Sequence, residues 1–273
     1  MNILTGHRAQ IACAGMLFLA LVAAQLARAA STGASKSSSA AIDYEEPKLL
    51  VGNIFPMGPD PKKVLFKSER TALRDGTTVK VACKYTAADG SLAARDQISY
   101  GAGKLQSFAT DEYQTGEKGS AIIRPDPNHP GQRTIFFEYS ASSSADPKKS
   151  TENERTDMET LVDDMIPGFI VTHWKDLASG APAKFRYIVP SRCETVGFRL
   201  VKESETTRNG KPVLRIKMEP TSFIIAQLVD PLYFVVEKDG AHRILQYLGR
   251  TTPVVKNGNK WKELDADTVF EWN

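Results

Sequence analysis

The chain has 273 residues, a formal net charge of +3, 25% charged and 41% hydrophobic side chains. That length suits one large domain or two small ones. The near-neutral, mixed-sign charge argues against nucleic acid as a partner, and no lysine run forms a polybasic membrane patch.

The N-terminus reads as a secretory signal in three parts. Residues 1–10 are polar and carry His7 and Arg8, residues 11–24 are fourteen apolar residues, and Ala27-Arg28-Ala29 is a small-residue cleavage site. Fourteen residues are too few for a span, which needs about 20. Cys13 lies near the start of the apolar run and no cysteine follows Ala29 closely, so a lipid anchor is not expected. Removal of 1–29 leaves 244 residues with a net charge of +1. The mature protein is expected to be periplasmic or secreted, and not an integral membrane protein.

Residues 30–43 form a Ser/Ala-rich flexible leader without periodicity, and a β-rich domain follows over 44–273. The stretch 49–61 is rich in proline and glycine and reads as extended or looped. Strand patterns then recur at 64–67, 79–85, 91–100, 104–113, 120–124 and 133–139, separated by turn residues. Thr156 and Glu159 fit a capping box. The apolar residues Met158, Leu161, Val162, Met165, Phe169, Ile170, Trp174 and Leu177 then trace one helical stripe. A helix over 157–177 is therefore expected, kinked at Pro167-Gly168 and ended by Gly180. Strands resume around Phe185, Val196, Leu214 and Phe234, with Asn209-Gly210 as a hairpin turn. Thr268, Phe270 and Trp272 suggest a last edge strand. The fold class that results is mainly β: a curved antiparallel sheet, half-barrel or incomplete barrel, with the helix on its concave face. The chain after residue 44 is either one sheet or two β-meanders joined by the helix 157–178.

Chemical motifs are sparse. His129, His173 and His242 have no metal-binding spacing. No G-x-S-x-G elbow and no Gly-rich phosphate loop occurs. Asp163 and Asp164 are adjacent, so on a helix they point about 100° apart, and their reading is as solvated, dipole-favouring first-turn carboxylates. No catalytic residue, cofactor or metal ligand is assigned. Cys83 and Cys193 either form a disulfide or remain two separate thiols. The abundant aromatic residues either fill an ordinary core or line a cavity for an apolar ligand; in the second case Phe169, Trp174, Phe198, Phe223 and Phe234 form its walls.

The helix 157–177, the stretch 182–190, and the run Leu228-Val-Asp-Pro-Leu-Tyr-Phe234 leading to Ile244-Leu-Gln-Tyr-Leu-Gly-Arg250 carry a resemblance. They resemble a group of uncharacterised bacterial periplasmic proteins, distantly similar to half-barrel lipoprotein carriers and sorting factors of the outer membrane. The resemblance implies a curved antiparallel sheet wrapped around helices, and an envelope compartment. Two function classes follow. One is a non-enzymatic binding, carrier or envelope-maintenance protein for a lipid, another apolar ligand or an envelope protein partner. The other is an envelope hydrolase that uses carboxylates.

Overall fold

The computed structural model describes residues 48–58, 63–101, 104–141, 148–227 and 229–272. The expected signal peptide and leader lie outside the described residues.

The first eight strands are β1 (Lys48–Pro56), β2 (Phe66–Asp75), β3 (Thr78–Ala87), β4 (Leu92–Gly101), β5 (Lys104–Glu112), β6 (Glu117–Pro125), β7 (Arg133–Ala141) and β8 (Lys148–Thr156). A short β9 (Thr160–Leu161), a 3-10 turn (Asp163–Met165), α1 (Ile166–Thr172) and α2 (Trp174–Ser179) follow. The second half contains β10 (Ala183–Val189), a 3-10 turn (Pro190–Arg192), β11 (Glu194–Arg208), β12 (Lys211–Pro220) and α3 (Phe223–Ala226). It ends with β13 (Leu232–Glu237), β14 (Ile244–Asn257) and β15 (Lys260–Glu271).

Among the described residues, fifteen strands join one sheet, in the order 8-7-6-5-4-3-2-1-15-14-13-12-11-10-9. Chain neighbours pair antiparallel, except that β9 lies parallel to β10 and β8 does not pair with β9. Local turn chemistry sets these registers. Asn209 and Gly210 both adopt positive φ (50° and 76°), the twist a two-residue hairpin needs, and Arg208 faces Lys211 across it. The first and last described strands also pair, β1 with β15, so the last strand is internal and not the edge strand expected from its sequence. Likewise 48–56 is a strand paired on both sides.

The sheet's two edges are β8 and β9, only a few residues apart in sequence. They do not pair, so the sheet is curved and not closed. Side chains bridge the seam instead. Glu154 accepts hydrogen bonds from the Thr195 amide and hydroxyl, both at 2.6 Å, and lies 2.9 Å from the Arg186 guanidinium. The 190–192 turn also packs over β6, where Gly119 leaves room for Pro190: a Cβ there would come within 2.5 Å of Pro190 Cβ.

The larger core gathers Val81, Ile98, Ile123 and Ile135 from the first half with Phe185, Leu200, Ile216 and Val236 from the second. Phe169, Ile170 and Leu177 of the helical segment pack among them. The apolar stripe is thus core apart from Met158, which is exposed, but the helix is shorter and more broken than 157–177. Thr156 ends β8, and its hydroxyl accepts from the Met158 amide instead of capping a helix. The Glu159 carbonyl accepts from the Arg186 amide, and Thr160 and Leu161 join β10, which draws this segment into the sheet. Pro167 sits in the first turn of α1, where its missing N–H costs nothing, and the break falls at His173. Gly180 closes α2 at φ 93°. A second, smaller core of Ile54, Phe66, Ala93, Leu264 and Ala266 lies where β1–β4 meet β14 and β15. The β5–β6 turn is tied to β14 by Gln114, whose side-chain amide both donates to and accepts from the Val254 backbone at 2.9 Å.

Candidate functional site

Between the two cores lies a cavity of about 140 Å³. Most of its wall is apolar, with Ile54, Ile98, Phe108, Phe234, Ile244 and Phe270 among the lining residues. Along its wall runs a polar row set by strand register, of which Arg70, Cys83 and Asp96 line the cavity. Arg70 on β2 faces Cys83 on β3, Cys83 faces Asp96 on β4, and Asp96 faces Thr110 on β5. Aligned positions on neighbouring strands share one face, so these four side chains stand side by side. The next row on the same face is apolar: Ala72, Val81, Ile98 and Phe108.

The 163–165 turn lowers two more carboxylates onto this row. Asp164 accepts from Arg70 Nε and from the Tyr100 hydroxyl in very short contacts, and from Arg70 Nη2 at 3.2 Å. The Cys83 thiol lies 3.8 Å from its Oδ1. The Arg70 and Asp164 side chains are 9% and 3% exposed, so this is a buried ion pair. Asp163 is enclosed by protein yet keeps accessible surface, and that surface faces the cavity. Its Oδ1 accepts from the Tyr187 hydroxyl at 2.6 Å. Asp96 is 5% exposed; its Oδ2 accepts from Tyr85 at 3.3 Å, and its Oδ1 is buried without a hydrogen-bond partner among the described residues.

These surroundings set the protonation states. Burial, with Asp163 and Asp164 nearby, raises the Asp96 carboxyl to about 7. The Thr110 hydroxyl opposite it opposes the shift without completing a well-shaped hydrogen bond. Asp163 is also raised by its enclosure, against the Tyr187 hydrogen bond. Burial and the neighbouring acids push the Cys83 thiol well above its ordinary range, so it is not a thiolate nucleophile at neutral pH. Tyr85, Tyr187 and Tyr247 are raised well above 10 by burial and remain neutral hydroxyls.

The structure places the sequence-derived wall residues differently from one another. Phe234 lines the cavity. Phe169 and Phe198 are buried in the larger core around Phe185, at ring distances of 5.2 and 6.3 Å from it. Trp174 packs at the edge of that core and stacks on His242 at 3.8 Å. Phe223 points outward from α3, 78% exposed, because α3 is a surface turn between β12 and β13. Asp163 and Asp164, read as solvated first-turn carboxylates, instead face the cavity and an ion pair. Cys83 and Cys193 are both free; Cys193 packs 3.7 Å from the Ser150 carbonyl while Cys83 faces Asp164. Sequence reasoning missed Arg70, Asp96 and Tyr85. The available signal was parity: Asp96 alternates with Ile98 and Tyr100, and Arg70 with Ala72.

Of the histidines, His129 closes a loop on Asp126, which also accepts from the Asn128 amide at 2.9 Å and from Arg155 at 2.7 Å. That network holds the Asp126 carboxyl well below the usual range and is structural. Among the described residues no three His, Cys, Asp or Glu side chains group to hold a metal, and no helix is long and apolar enough to cross a membrane.

The fold and cavity define a barrel-like β protein: one curved, unclosed antiparallel sheet with a mostly apolar pocket inside. No family model and no curated protein matches the chain. Among solved structures, it is similar to a β-barrel-like protein of a domain of unknown function, DUF1849, from Brucella abortus. The two share 6% identity over 83% of this chain and 95% of that one, with a TM-score of 0.36.

Proposed function

We propose that this is an exported, non-enzymatic binding protein of the bacterial cell envelope, which holds a small, mainly apolar ligand in its interior cavity. The carrying observation is the cavity itself, about 140 Å³ with aromatic and aliphatic walls. An apolar cavity of about 150 Å³ admits benzene, whereas pockets for drug-sized ligands run from about 300 Å³. The ligand, or the part of it that enters, is therefore a ring or a short chain and not a diacyl lipid. The neutral Cys83 thiol supports binding over nucleophilic chemistry. The three-part N-terminal signal supports export.

The test is native mass spectrometry on protein purified from its own host's envelope. A bound small molecule that is lost in Phe108→Trp, which adds bulk to the cavity wall, supports the reading. A bare mass, together with no uptake of toluene by the purified protein, overturns it. A hydrolase is the second reading, because Asp96 near 7 and the ion-paired Asp164 give one cavity both an acid and a carboxylate. Turnover of envelope glycan that disappears in Asp96→Asn would favour it.

A further inference from the structure

Among the described residues, the cavity wall holds more acids than cations. Asp96, Asp163 and Asp164 line it. Of the two arginines there, Arg70 is committed to Asp164, and Arg250 to Glu263 and Asp265. Among the described residues, Asp163 receives only the neutral Tyr187 hydroxyl, and Asp96 Oδ1 is buried without a hydrogen-bond partner. Among the described residues, the other polar groups beside Asp96 are the Cys83 thiol, the Tyr85 and Tyr187 phenols and the Thr110 hydroxyl, none of which carries positive charge at neutral pH.

We propose that the cavity's occupant is a monovalent organic cation: a small ammonium carried on an apolar body of about benzene size, with Asp96 and Asp163 as its counter-ions. This rests on the binding reading above and adds the ligand's charge and headgroup. A buried carboxylate without a partner is costly, and an N–H donor with a positive charge supplies both missing interactions at once. The apolar body lies against Ile98, Phe108 and Phe234, where a hydrated metal ion would lose its water with no return. Uptake of the ammonium holds Asp96 in its ionised form, so binding strengthens as pH rises past the Asp96 carboxyl.

The experiment is isothermal titration calorimetry of the mature protein with three probes of one shape: benzylamine, benzyl alcohol and toluene, at pH 8 and pH 5.5. A charged hydrogen bond in a buried site gives benzylamine about a tenfold or greater advantage over benzyl alcohol at pH 8. That advantage shrinks at pH 5.5 and vanishes in Asp96→Asn and Asp163→Asn, while toluene and benzyl alcohol still bind both variants and so report an intact cavity. Equal affinity for the three probes in the native protein, or an amine preference that survives both substitutions, overturns the cation assignment and leaves the binding reading standing. Failure of all three to bind overturns both.

Discussion

Arg70→Met tests the ion pair that organises the polar row. The substitution keeps an unbranched side chain of similar reach and removes the guanidinium from Asp164, whose contacts with the Tyr100 hydroxyl and the Cys83 thiol stay in place. With side chains 9% and 3% exposed, the pair is well shielded from solvent. Deleting one member of such a pair strands the other charge and costs about 3–5 kcal/mol. In a domain of this size each kcal/mol moves Tm by about 2–4 °C, so a fall of about 6–20 °C is expected at pH 7. Asp164→Leu alone removes the carboxylate from the Arg70 guanidinium and is expected to fall in the same range. The double variant Arg70→Met/Asp164→Leu removes both charges and is expected to recover most of the loss, because neither is left unpaired. Urea denaturation of the four proteins closes the cycle. A single-variant cost under about 1 kcal/mol, or a double variant as damaged as the sum of the singles, would refute the reasoning.

Asp96 gives a pH signature: its folded carboxyl titrates at about 7 against 3.8 in the unfolded chain, so the folded state holds the extra proton between those values. Stability from this group is complete below about 3.8 and is lost as pH rises to 7, at about 1.4 kcal/mol per pH unit. Asp96→Asn should flatten the fall in urea stability between pH 5 and 8 and be the more stable protein at pH 8; parallel curves would contradict this. Glu154→Ala removes the hydrogen bonds and ion pair across the seam, and hydrogen exchange in 148–156 should quicken with a loss of about 1–2 kcal/mol; unchanged protection would show that the seam is held elsewhere. Asn209→Val places a β-branched residue at φ 50° and should cost about 1–2 kcal/mol, read by thermal melting. N-terminal sequencing of protein from the host envelope should begin just after Ala29, and a sequence starting at Met1 would contradict export.

The β class, the central apolar stripe and the Asn209-Gly210 hairpin were legible because alternation, helical spacing and turn chemistry are local. The pairing of β1 with β15 was not, since nothing in either strand names a partner some two hundred residues away. β8 was also hidden: Lys148–Thr156 has no apolar alternation because it is a polar edge strand held by β7 and by the Glu154 bridge. The helix appeared too long because Leu161 and Val162 fit the helical period equally well as buried residues at a sheet edge. The site itself was legible only in part. Asp163-Asp164 stood out as a carboxylate pair, but their partners Arg70 and Tyr187 lie outside the segment that carries them. Asp96 carried a local signal, an acid at the parity of Ile98 and Tyr100, because such a residue must either break the strand or face something that needs it.

The central claim is that the interior cavity admits a small apolar ligand. Methyl NMR of the mature protein titrated with toluene tests it most directly. Saturable shifts of the Ile54, Ile98 and Ile244 methyl groups that line the cavity are expected, with those shifts abolished in Phe108→Trp. Silent cavity methyls, or shifts confined to surface residues such as Ile224, would contradict it.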